Sequence, residues 1–431
     1  MAATQSGRPT GRHRRPAEHQ ATYGEVLAID EFRALWAGQA LSLLGDQLSR
    51  VALSVLVFER TESPLATASV YALTYLPPII GGPLLAGLAD RYARRRVMIV
   101  CDVLRAVMVA MMAIPGTSFV TLCALVFCVV LLSAPFSAAR AALLPELLEG
   151  DRYVAGSALQ NMTNQAAQML GFAVGGALIM GMGPYRALAL DAATFMASAL
   201  ILVSGVRRRP APLRDAANRP SMWTMTRAGA RLVFGDPRLR TLVLFAWLCG
   251  FYVLPEGIAT PYAATLTDDP QQISFVAGLL MGAMPTGTVV GAFLFSRYVG
   301  PSRRLRAMGW MAMLSCAPLV LCALRPPLAA VLLLWFVSGV GGAYQLAANA
   351  AFVQCVPAER RGQAFGLVQS GLLAAQGIGI LVGGAAADEL GPEPVVALAG
   401  AAGLFVAATL ALVWTESRKE IIKRVRAGAT A

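Results

Sequence analysis

Apolar runs of about 20 residues recur along the whole chain, and each is long enough to cross a lipid bilayer as an α-helix. Of the 431 residues, 57% are hydrophobic and 14% are charged, whereas a soluble domain carries about 25% charged residues. The chain therefore lacks the polar surface that it would need to face water on all sides. We predict an all-α membrane protein with twelve transmembrane helices, at approximately residues 33–58, 65–88, 97–115, 119–141, 155–180, 185–206, 239–264, 272–298, 303–324, 328–354, 362–388 and 394–415.

The charged turn Gly87–Arg96 joins the second and third of these runs and contains four arginines. Short basic loops are retained on the cytoplasmic side of a membrane, so this turn predicts the orientation of the chain. In the resulting topology, 31 of the 36 basic residues lie inside and three lie outside. We expect a multi-pass protein of the cell (inner) membrane with both termini in the cytoplasm. The net charge of +12 follows the topology, so it gives no reason to expect nucleic-acid binding.

A polar, arginine-rich stretch near the middle of the chain divides the helices into two groups of six. Residues 166–177 and 374–385 are identical at eight of twelve positions, which indicates a duplicated six-helix unit. Two bundles related by an axis along the membrane normal would place a substrate site between them near the midplane. The predicted parts are a basic cytoplasmic tail without a signal peptide (1–30), an N-terminal bundle (31–206), a cytoplasmic loop (207–238), a C-terminal bundle (239–416) and a second cytoplasmic tail (417–431).

This organisation, with the pattern Gly87-x-x-Asp90-Arg91-x-x-Arg94-Arg95, resembles the major facilitator superfamily. The family's pattern has a glycine where this chain has Ala93. Finer features, among them Phe32–Trp36, Asp102-x-x-Arg105 and Leu190–Phe195, resemble the drug:proton antiporter-3 branch, which includes macrolide-efflux and enterobactin-export proteins. The resemblance implies a secondary transporter and not an enzyme. It implies two pseudo-symmetric six-helix bundles that work by alternating access.

Two carboxylates inside predicted helices are candidates for proton coupling, because an ionisable group costs about 2.5 kcal/mol or more at membrane depth. Asp46 lies halfway along the first helix, with Arg50 four residues further on the same face. Asp46 either exchanges a proton in the cavity or forms a permanent ion pair with Arg50. Glu256 follows Pro255 in the seventh helix and is either a second proton site or a carboxylate at the outer water interface. For Asp191 a structural role is favoured.

Amide and aromatic side chains on the fifth, seventh and tenth helices predict a cavity for a large organic molecule. The fifth helix has a polar stripe at helical spacing, which cannot face lipid. Its amides either line a cavity or form hydrogen bonds between helices. The candidate substrate-binding residues are Gln47, Arg50, Asn161, Asn164, Gln165, Gln168, Trp247, Tyr252, Tyr344, Gln345 and Asn349. The glycines of the fifth and eleventh helices are expected to be close-packing surfaces: Gly171, Gly175, Gly176, Gly379, Gly383 and Gly384.

The charged turn and its neighbours predict a cytoplasmic gate that joins the two halves when the cavity faces outward. In this hypothesis Asp90 lies against the positive N-terminal end of the eleventh helix. The alternative is that the arginines serve only to retain the loop inside. The candidate gating residues are Gly87, Asp90, Arg91, Arg94, Arg95, Asp102, Arg105 and Arg140.

The motifs that the chain lacks narrow the function further. It has no phosphate-binding loop, and its two histidines, His13 and His19, lie in the tail, so we expect no metal site and no cofactor. The prediction is proton-coupled efflux of a hydrophobic or amphipathic compound such as a drug, an antibiotic or a siderophore. A lysophospholipid flippase and a solute importer of the same fold stay open as alternatives. The expected partners are a small-molecule substrate, protons and membrane lipid, with the protein acting as a monomer.

Overall fold

The computed structural model describes residues 21–85, 88–210, 222–357 and 360–428, without the side chains of 82–84, 89, 90, 222–226, 228 and 416–428. This part of the chain contains helices and no strand, which confirms the predicted all-α class. The first half contains α1 (Tyr23–Leu27), α2 (Asp30–Thr61), α3 (Pro64–Ala72), α4 (Pro77–Leu85), α5 (Leu88–Arg91), α6 (Arg94–Met112), α7 (Phe119–Leu147), α8 (Asp151–Met182) and α9 (Pro184–Gly205).

The second half begins with a helix inside the stretch predicted as the central loop. It contains α10 (Met222–Gly235), α11 (Pro237–Trp247), α12 (Cys249–Tyr252), α13 (Leu254–Gly257), α14 (Ala259–Ala264), α15 (Pro270–Tyr298), α16 (Pro301–Val320), a 3-10 turn (Leu321–Leu324), α17 (Leu328–Gly342), α18 (Tyr344–Cys355), α19 (Arg361–Leu390) and α20 (Pro392–Gly428).

Ten helical segments of the described chain are long and apolar enough to cross a membrane, against twelve predicted spans. The other two predicted spans correspond to α3 with α4 and to α6. The former is broken between Ala72 and Pro77, and the latter carries Arg94, Arg95 and Arg96 in its first turn, with Asp102 and Arg105 further along. Both are helical, but the pieces of the first are too short, and the second is too highly charged, to have the length and hydropathy of a typical spanning helix.

The predicted seventh helix is divided into four pieces, α11 to α14. Pro255 and Pro261 lie in this region, and each lacks the backbone N–H that would continue the hydrogen-bond ladder. The second span is broken in a similar way, because α4 begins with Pro77 and Pro78. These breaks concentrate backbone irregularity in two helices that contact the opposite half.

The two halves are helical bundles that meet along two seams. Helix α8 packs against α15, and α3 packs against α19. Exchanging the halves converts one seam into the other, because α3 and α15 are the second spans and α8 and α19 the fifth spans of their halves. This correspondence agrees with the predicted duplication.

The repeated glycines are close-packing positions, and equivalent glycines make equivalent contacts. Gly171 and Gly175 lie against α2, as Gly379 and Gly383 lie against the broken seventh span. Gly176 and Gly384 instead face the opposite half. A Cβ atom at Gly176 would lie 2.7 Å from the carbonyl oxygen of Ser274, and one at Gly384 would lie 3.2 Å from Leu65 Cα, so both seams depend on glycine.

Both seams close at the same end of the molecule, where α2 and α8 finish and α3 and α15 begin. We call this the outer end, following the orientation that the arginine distribution predicts. A Cβ atom at Gly278 would lie 2.6 Å from the carbonyl oxygen of Phe172 and 2.7 Å from Gly176 Cα, so α8 and α15 cross with their backbones in contact. The two cavities described below are each lined by one half alone.

Candidate functional site

A polar cavity of about 270 Å³ lies within the first half, and we call it the N-half cavity. Only Leu43 and Phe136 among its lining residues are apolar. Its polar lining comes from α2 (Gln39, Ser42, Asp46), α6 (Arg105), α7 (Ser133, Ser137, Arg140) and α8 (Gln160, Asn161, Asn164). A cavity of this composition at membrane depth must contain water or a polar ligand group.

Asp46 is held by Arg105 from α6, at 3.0 Å and 3.2 Å from its two carboxylate oxygens. The alternative that pairs Asp46 with Arg50 is wrong in this structure, because the side chain turns toward a neighbouring helix. Arg105 also lies 3.7 Å from Asp102 and 4.0 Å over the ring of Phe195. Asp46 keeps 29% of its side chain exposed, so its carboxylate is both paired and accessible from the cavity.

Two further buried carboxylates lie near this ion pair, and neither lines the cavity. Asp102 is fully buried and accepts a hydrogen bond from Ser198 at 2.7 Å. Asp191 is buried and accepts hydrogen bonds from Ser49 and Thr194. The contacts of Asp191 are those expected of a structural carboxylate.

Glu256 lies in the contact between the halves and is 4% exposed, so the alternative that places it at the outer water interface is wrong. The hydroxyl of Tyr71 in α3 donates a hydrogen bond to its carboxylate at 3.0 Å. Arg50 lies over the ring of Tyr75, with 6.0 Å between guanidinium carbon and ring centroid, and Tyr75 packs against Tyr71. No described carboxylate comes within 4 Å of Arg50.

The amide stripe of the predicted fifth helix is divided between the cavity and the exposed surface. Asn161 and Asn164 line the N-half cavity. Gln165 is exposed and Gln168 is half-buried, and neither belongs to that lining. Gln47 is buried, and its Cβ packs against Gly171, which is the contact of a helix interface.

A second cavity, of about 410 Å³, lies within the other half, and we call it the C-half cavity. Gln345 and Asn349 line it, and Gln345 donates hydrogen bonds to the Ala246 carbonyl and the Tyr252 hydroxyl at 3.0 Å and 3.2 Å. Tyr344 is buried and donates to the Phe245 carbonyl at 2.7 Å. The rest of the lining is mostly apolar, with Leu242, Val243, Leu346, Phe352, Phe365 and Leu372 beside Thr288 and Gln369.

Trp247 lies away from both cavities. Its indole nitrogen donates to the Val368 carbonyl at 3.1 Å, and its ring packs against Gly371. It lines a separate apolar groove of about 500 Å³ formed by the seventh, eleventh and twelfth spans. The structure therefore gives Trp247 a packing environment unlike that of Gln345.

The loop arginines bind the ends of helices within their own half. Arg94 contacts Glu146 and the Ala142 carbonyl in α7, and Arg95 donates to the Leu202 carbonyl in α9 at 3.3 Å. Arg91 is exposed and lies over Tyr92. Gly87 and the side chain of Asp90 lie outside the described residues. Asp102, Arg105 and Arg140 are separate from this group, because they belong to the cavity or to the network behind it.

Sequence reasoning missed the contacts that close the outer end. Asp388 at the end of α19 accepts hydrogen bonds from the Ser63 hydroxyl at 3.1 Å and from the Leu65 backbone N–H at 2.9 Å. Ser63 is also the N-cap of α3, so a carboxylate from one half lies against the positive end of a helix from the other. Deeper in the seam, Ser54 and Thr260 form a hydrogen bond of 2.7 Å.

Several cavity residues were also missed, although their spacing contains a signal. Gln39, Ser42 and Asp46 lie three and four residues apart on α2, and Ser133, Ser137 and Arg140 lie four and three apart on α7. These are the spacings of one helix face. Within the described residues there is no cluster of three or more histidine, cysteine or acidic side chains that could hold a metal ion.

Comparison with known proteins identifies the family. The sequence profile of the Major Facilitator Superfamily matches residues 35–298 and again residues 254–430. The chain belongs to the major facilitator superfamily. This transporter is 30% identical over 394 residues to the multidrug efflux pump Tap of Mycolicibacterium fortuitum, which covers 85% of this chain and 90% of that protein. A shorter match, 32% over 74 residues, relates it to macrolide efflux protein A of Streptococcus pyogenes, over 17% of this chain and 18% of that protein.

Solved structures of other major facilitators share the fold. The nucleoside transporter NupG superposes with a TM-score of 0.66 at 16% identity, over 88% of this chain and 98% of that one. A bacterial homolog of the human lysosomal transporter Spinster gives a TM-score of 0.63 at 15% identity, over 92% and 97%. Family and fold confirm the predicted transporter, and with it a multi-pass membrane protein that is not an enzyme. The efflux relatives confirm the resemblance to drug-efflux members of the family.

Proposed function

We propose that this transporter exports a hydrophobic or amphipathic organic compound in exchange for protons. The observation that carries this proposal is Asp46, a carboxylate in the middle of a membrane-spanning helix, paired with Arg105 and accessible from a polar cavity. A carboxylate so placed can release a proton toward one side of the membrane and take one up from the other. The relatives named as efflux pumps support the direction and the class of compound.

The compound is proposed to bind across the N-half and C-half cavities, with a part of the molecule in each. Gln345 and Asn349 in one half and Asn161 and Asn164 in the other supply hydrogen bonds at the edges of that space. The mainly apolar C-half cavity suits the hydrophobic part of an amphipathic molecule. The polar N-half cavity suits its polar part.

Glu256 is proposed as a second proton site, which acts on the outer seam. With the outer end closed, its carboxylate lies between the halves and accepts from Tyr71. A neutral carboxylic acid costs less to bury than a carboxylate. A proton taken up from outside would therefore favour closure of the outer seam around Glu256 and return the empty transporter to the inward-facing state.

The proposed location is the cytoplasmic membrane, with both termini inside and the protein acting as a monomer. The distribution of basic residues, 31 inside and three outside, supports the orientation. Reporter fusions test it. Alkaline phosphatase joined after residue 62 should be active, whereas the same enzyme joined after residue 92 should be inactive.

Purified protein in liposomes that contain a pH-sensitive dye tests the exchange. A macrolide added outside is taken up down its gradient, and obligatory exchange expels protons, so the lumen should become alkaline. Acidification of the lumen would mean cotransport and would contradict export driven by protons. Empty liposomes measure the passive effect of a weakly basic drug, which must be subtracted.

A further inference from the structure

One of the two guanidinium groups at the N-half cavity has no acceptor among the described residues. Arg105 is bound to Asp46, backed by Asp102 and stacked on Phe195. Arg140 lines the same cavity, yet no carboxylate of the described residues lies within 4 Å of it, and none of their atoms accepts a hydrogen bond from it. Guanidinium groups bind planar oxygen acceptors well, so Arg140 offers the cavity several strong donors.

Three buried polar atoms around this cavity have no hydrogen-bond partner among the described residues. They are Gln39 Oε1, Ser42 Oγ and Gln160 Nε2, and their residues all line the cavity. Gln39 is 7% exposed and Ser42 is 4% exposed. Because buried polar groups are nearly always paired, these atoms require water or a ligand group with both acceptors and donors. Gln39 Oε1 requires a donor, whereas Arg140 and Gln160 Nε2 require acceptors.

A positively charged head group does not fit this arrangement. Among the described residues, Asp46 is the only carboxylate of the lining, and both of its oxygens already accept hydrogen bonds from Arg105. An ammonium group in the cavity would face the positive charge of Arg140, which no carboxylate of the described residues neutralises. Repulsion between like charges in a site of low dielectric therefore disfavours a cation.

A negatively charged head group would bind Arg140, but it would give the wrong coupling. An anion beside Asp46 favours the protonated carboxyl over the carboxylate. By linkage, the compound and the proton would then bind together, which leads to cotransport. Export in exchange for protons requires that the compound displaces the proton and does not bind together with it. An uncharged head group adds no negative charge that would hold the proton on Asp46, and it still uses Arg140 as a donor.

We propose that the N-half cavity binds an uncharged polar head group, with Arg140 donating to its carbonyl or ether oxygen and Gln39 accepting from its N–H or O–H. The apolar body of the compound then lies in the C-half cavity, beside the edge-to-face pair of Phe352 and Phe365, whose ring centroids are 5.3 Å apart. This inference rests on the proposed exchange with protons. It turns the candidate gating residue Arg140 into the residue that selects the head group.

Four fluorescent probes with one apolar body test the head-group preference. They are 1-pyrenebutyramide (neutral), its N,N-dimethylamide (neutral, without N–H), 1-pyrenebutyric acid (anionic) and 4-(1-pyrenyl)butylamine (cationic). Binding is measured by fluorescence anisotropy with the full-length protein in nanodiscs at pH 7.5, and empty nanodiscs give the background from lipid. The primary amide should bind most tightly, and the amine at least about tenfold more weakly.

Two variants assign the preference to residues. Arg140→Gln should weaken binding of the amide about tenfold, and the affinities for the amide and the amine should then differ by no more than about threefold. The control Arg96→Gln removes an exposed arginine of the same half that does not line the cavity, and it should leave every affinity unchanged. If Arg140→Gln does not fold, Gln39→Leu keeps the test open, because it should abolish the preference for the primary amide over the dimethylamide.

Three results would overturn the proposal: tightest binding of the amine, tightest binding of the acid, or an amide affinity within twofold of wild type in Arg140→Gln. Failure of the underlying function is seen separately. The liposome assay is therefore repeated with the neutral 1-pyrenebutyramide as the added compound. If the amide preference depends on Arg140 while the lumen does not become alkaline with this amide, the head-group site stands and the proton exchange fails. If the lumen becomes alkaline while the amine binds best, the exchange stands and the head-group site fails.

Discussion

Replacing Asp46 by asparagine tests the proposed proton site with a small structural disturbance. Asparagine keeps one oxygen that accepts from Arg105, and it replaces the other oxygen with an amide nitrogen that cannot accept, so it removes the charge and one of the two hydrogen bonds. Arg105 stays beside Asp102 and over Phe195, so a negative charge still lies near its guanidinium group. A hydrogen bond to a charged group contributes about 1.5–3 kcal/mol and a neutral one about 0.5–1.5 kcal/mol, so the expected loss of stability is about 1 kcal/mol. Removing one partner of a fully buried ion pair costs about 3–5 kcal/mol, which is considerably more.

The effect on transport should be much larger than the effect on stability. One pH unit across the membrane supplies about 1.36 kcal/mol for each proton exchanged, which corresponds to about tenfold accumulation of the compound. If Asp46 carries one proton per cycle, Asp46→Asn lowers the maximum accumulation about tenfold for each unit of pH difference. If it carries the only proton, accumulation driven by the gradient disappears.

Inverted membrane vesicles provide the assay, because the cytoplasmic face is then outside and the compound accumulates in the lumen. Uptake of a labelled macrolide is measured at imposed differences of zero, one and two pH units, with protein amounts matched by immunoblot. Asp46→Glu should retain the gradient dependence. Asp191→Asn removes a buried carboxylate of the same half that does not line the cavity, so it should change stability and not the slope. An Asp46→Asn protein whose uptake still increases with the gradient as in wild type would refute the assignment.

Three further substitutions test the outer seams. Gly278→Val places a Cβ about 2.6 Å from a backbone oxygen of α8, so the outer end should fail to close and transport should be lost, while Gly181→Ala, where a Cβ meets nothing within 4 Å, should transport normally. Tyr71→Phe removes the donor to Glu256 and should raise the outward-open to inward-open ratio about tenfold or more, seen as longer spin-label distances across the outer end; unchanged distances would contradict this role. Asp388→Ala should raise the same outward-open to inward-open ratio by only about two- to fivefold, measured from the same spin-label distances. The effect should be smaller at high salt, because the contact is exposed, and an equal change at high and low salt would contradict a charge effect.

The duplicated sequence predicted more of the fold than the length and hydropathy of single segments did. Similarity between residues 166–177 and 374–385 placed matched glycines on two helices, and in the structure these glycines make matched contacts. Hydropathy alone misses α6, because its charged side chains lower the average even though Asp102 and Arg105 are buried in a network. It also carries no information on the breaks in the seventh span, which depend on individual prolines.

The candidate site was predictable where it depended on one helix and unpredictable where it depended on two. The spacing of four residues on α2 predicted that Asp46 and Arg50 share a face, but it gave no information on which arginine binds the carboxylate. Arg105 binds it because α2 and α6 both pack against α9, which brings the two side chains together. This is a tertiary arrangement that the sequence of α2 does not contain. For the same reason Tyr71 was not a candidate, although it holds Glu256.

The contact of Asp388 at the outer end is the counterpart of the contact predicted for Asp90 at the inner end. Asp388 binds the N-terminus of α3 at the outer end, and the hypothesis for Asp90 places it against the N-terminus of α19 at the inner end. In each case a carboxylate of one half contacts the positive end of a helix from the other, which contributes about 0.3–1 kcal/mol. If the two contacts are made in opposite states, each state gains one and loses the other, so their energies nearly cancel. The two states would then differ little in free energy, and a bound proton or compound would be sufficient to shift the population between them.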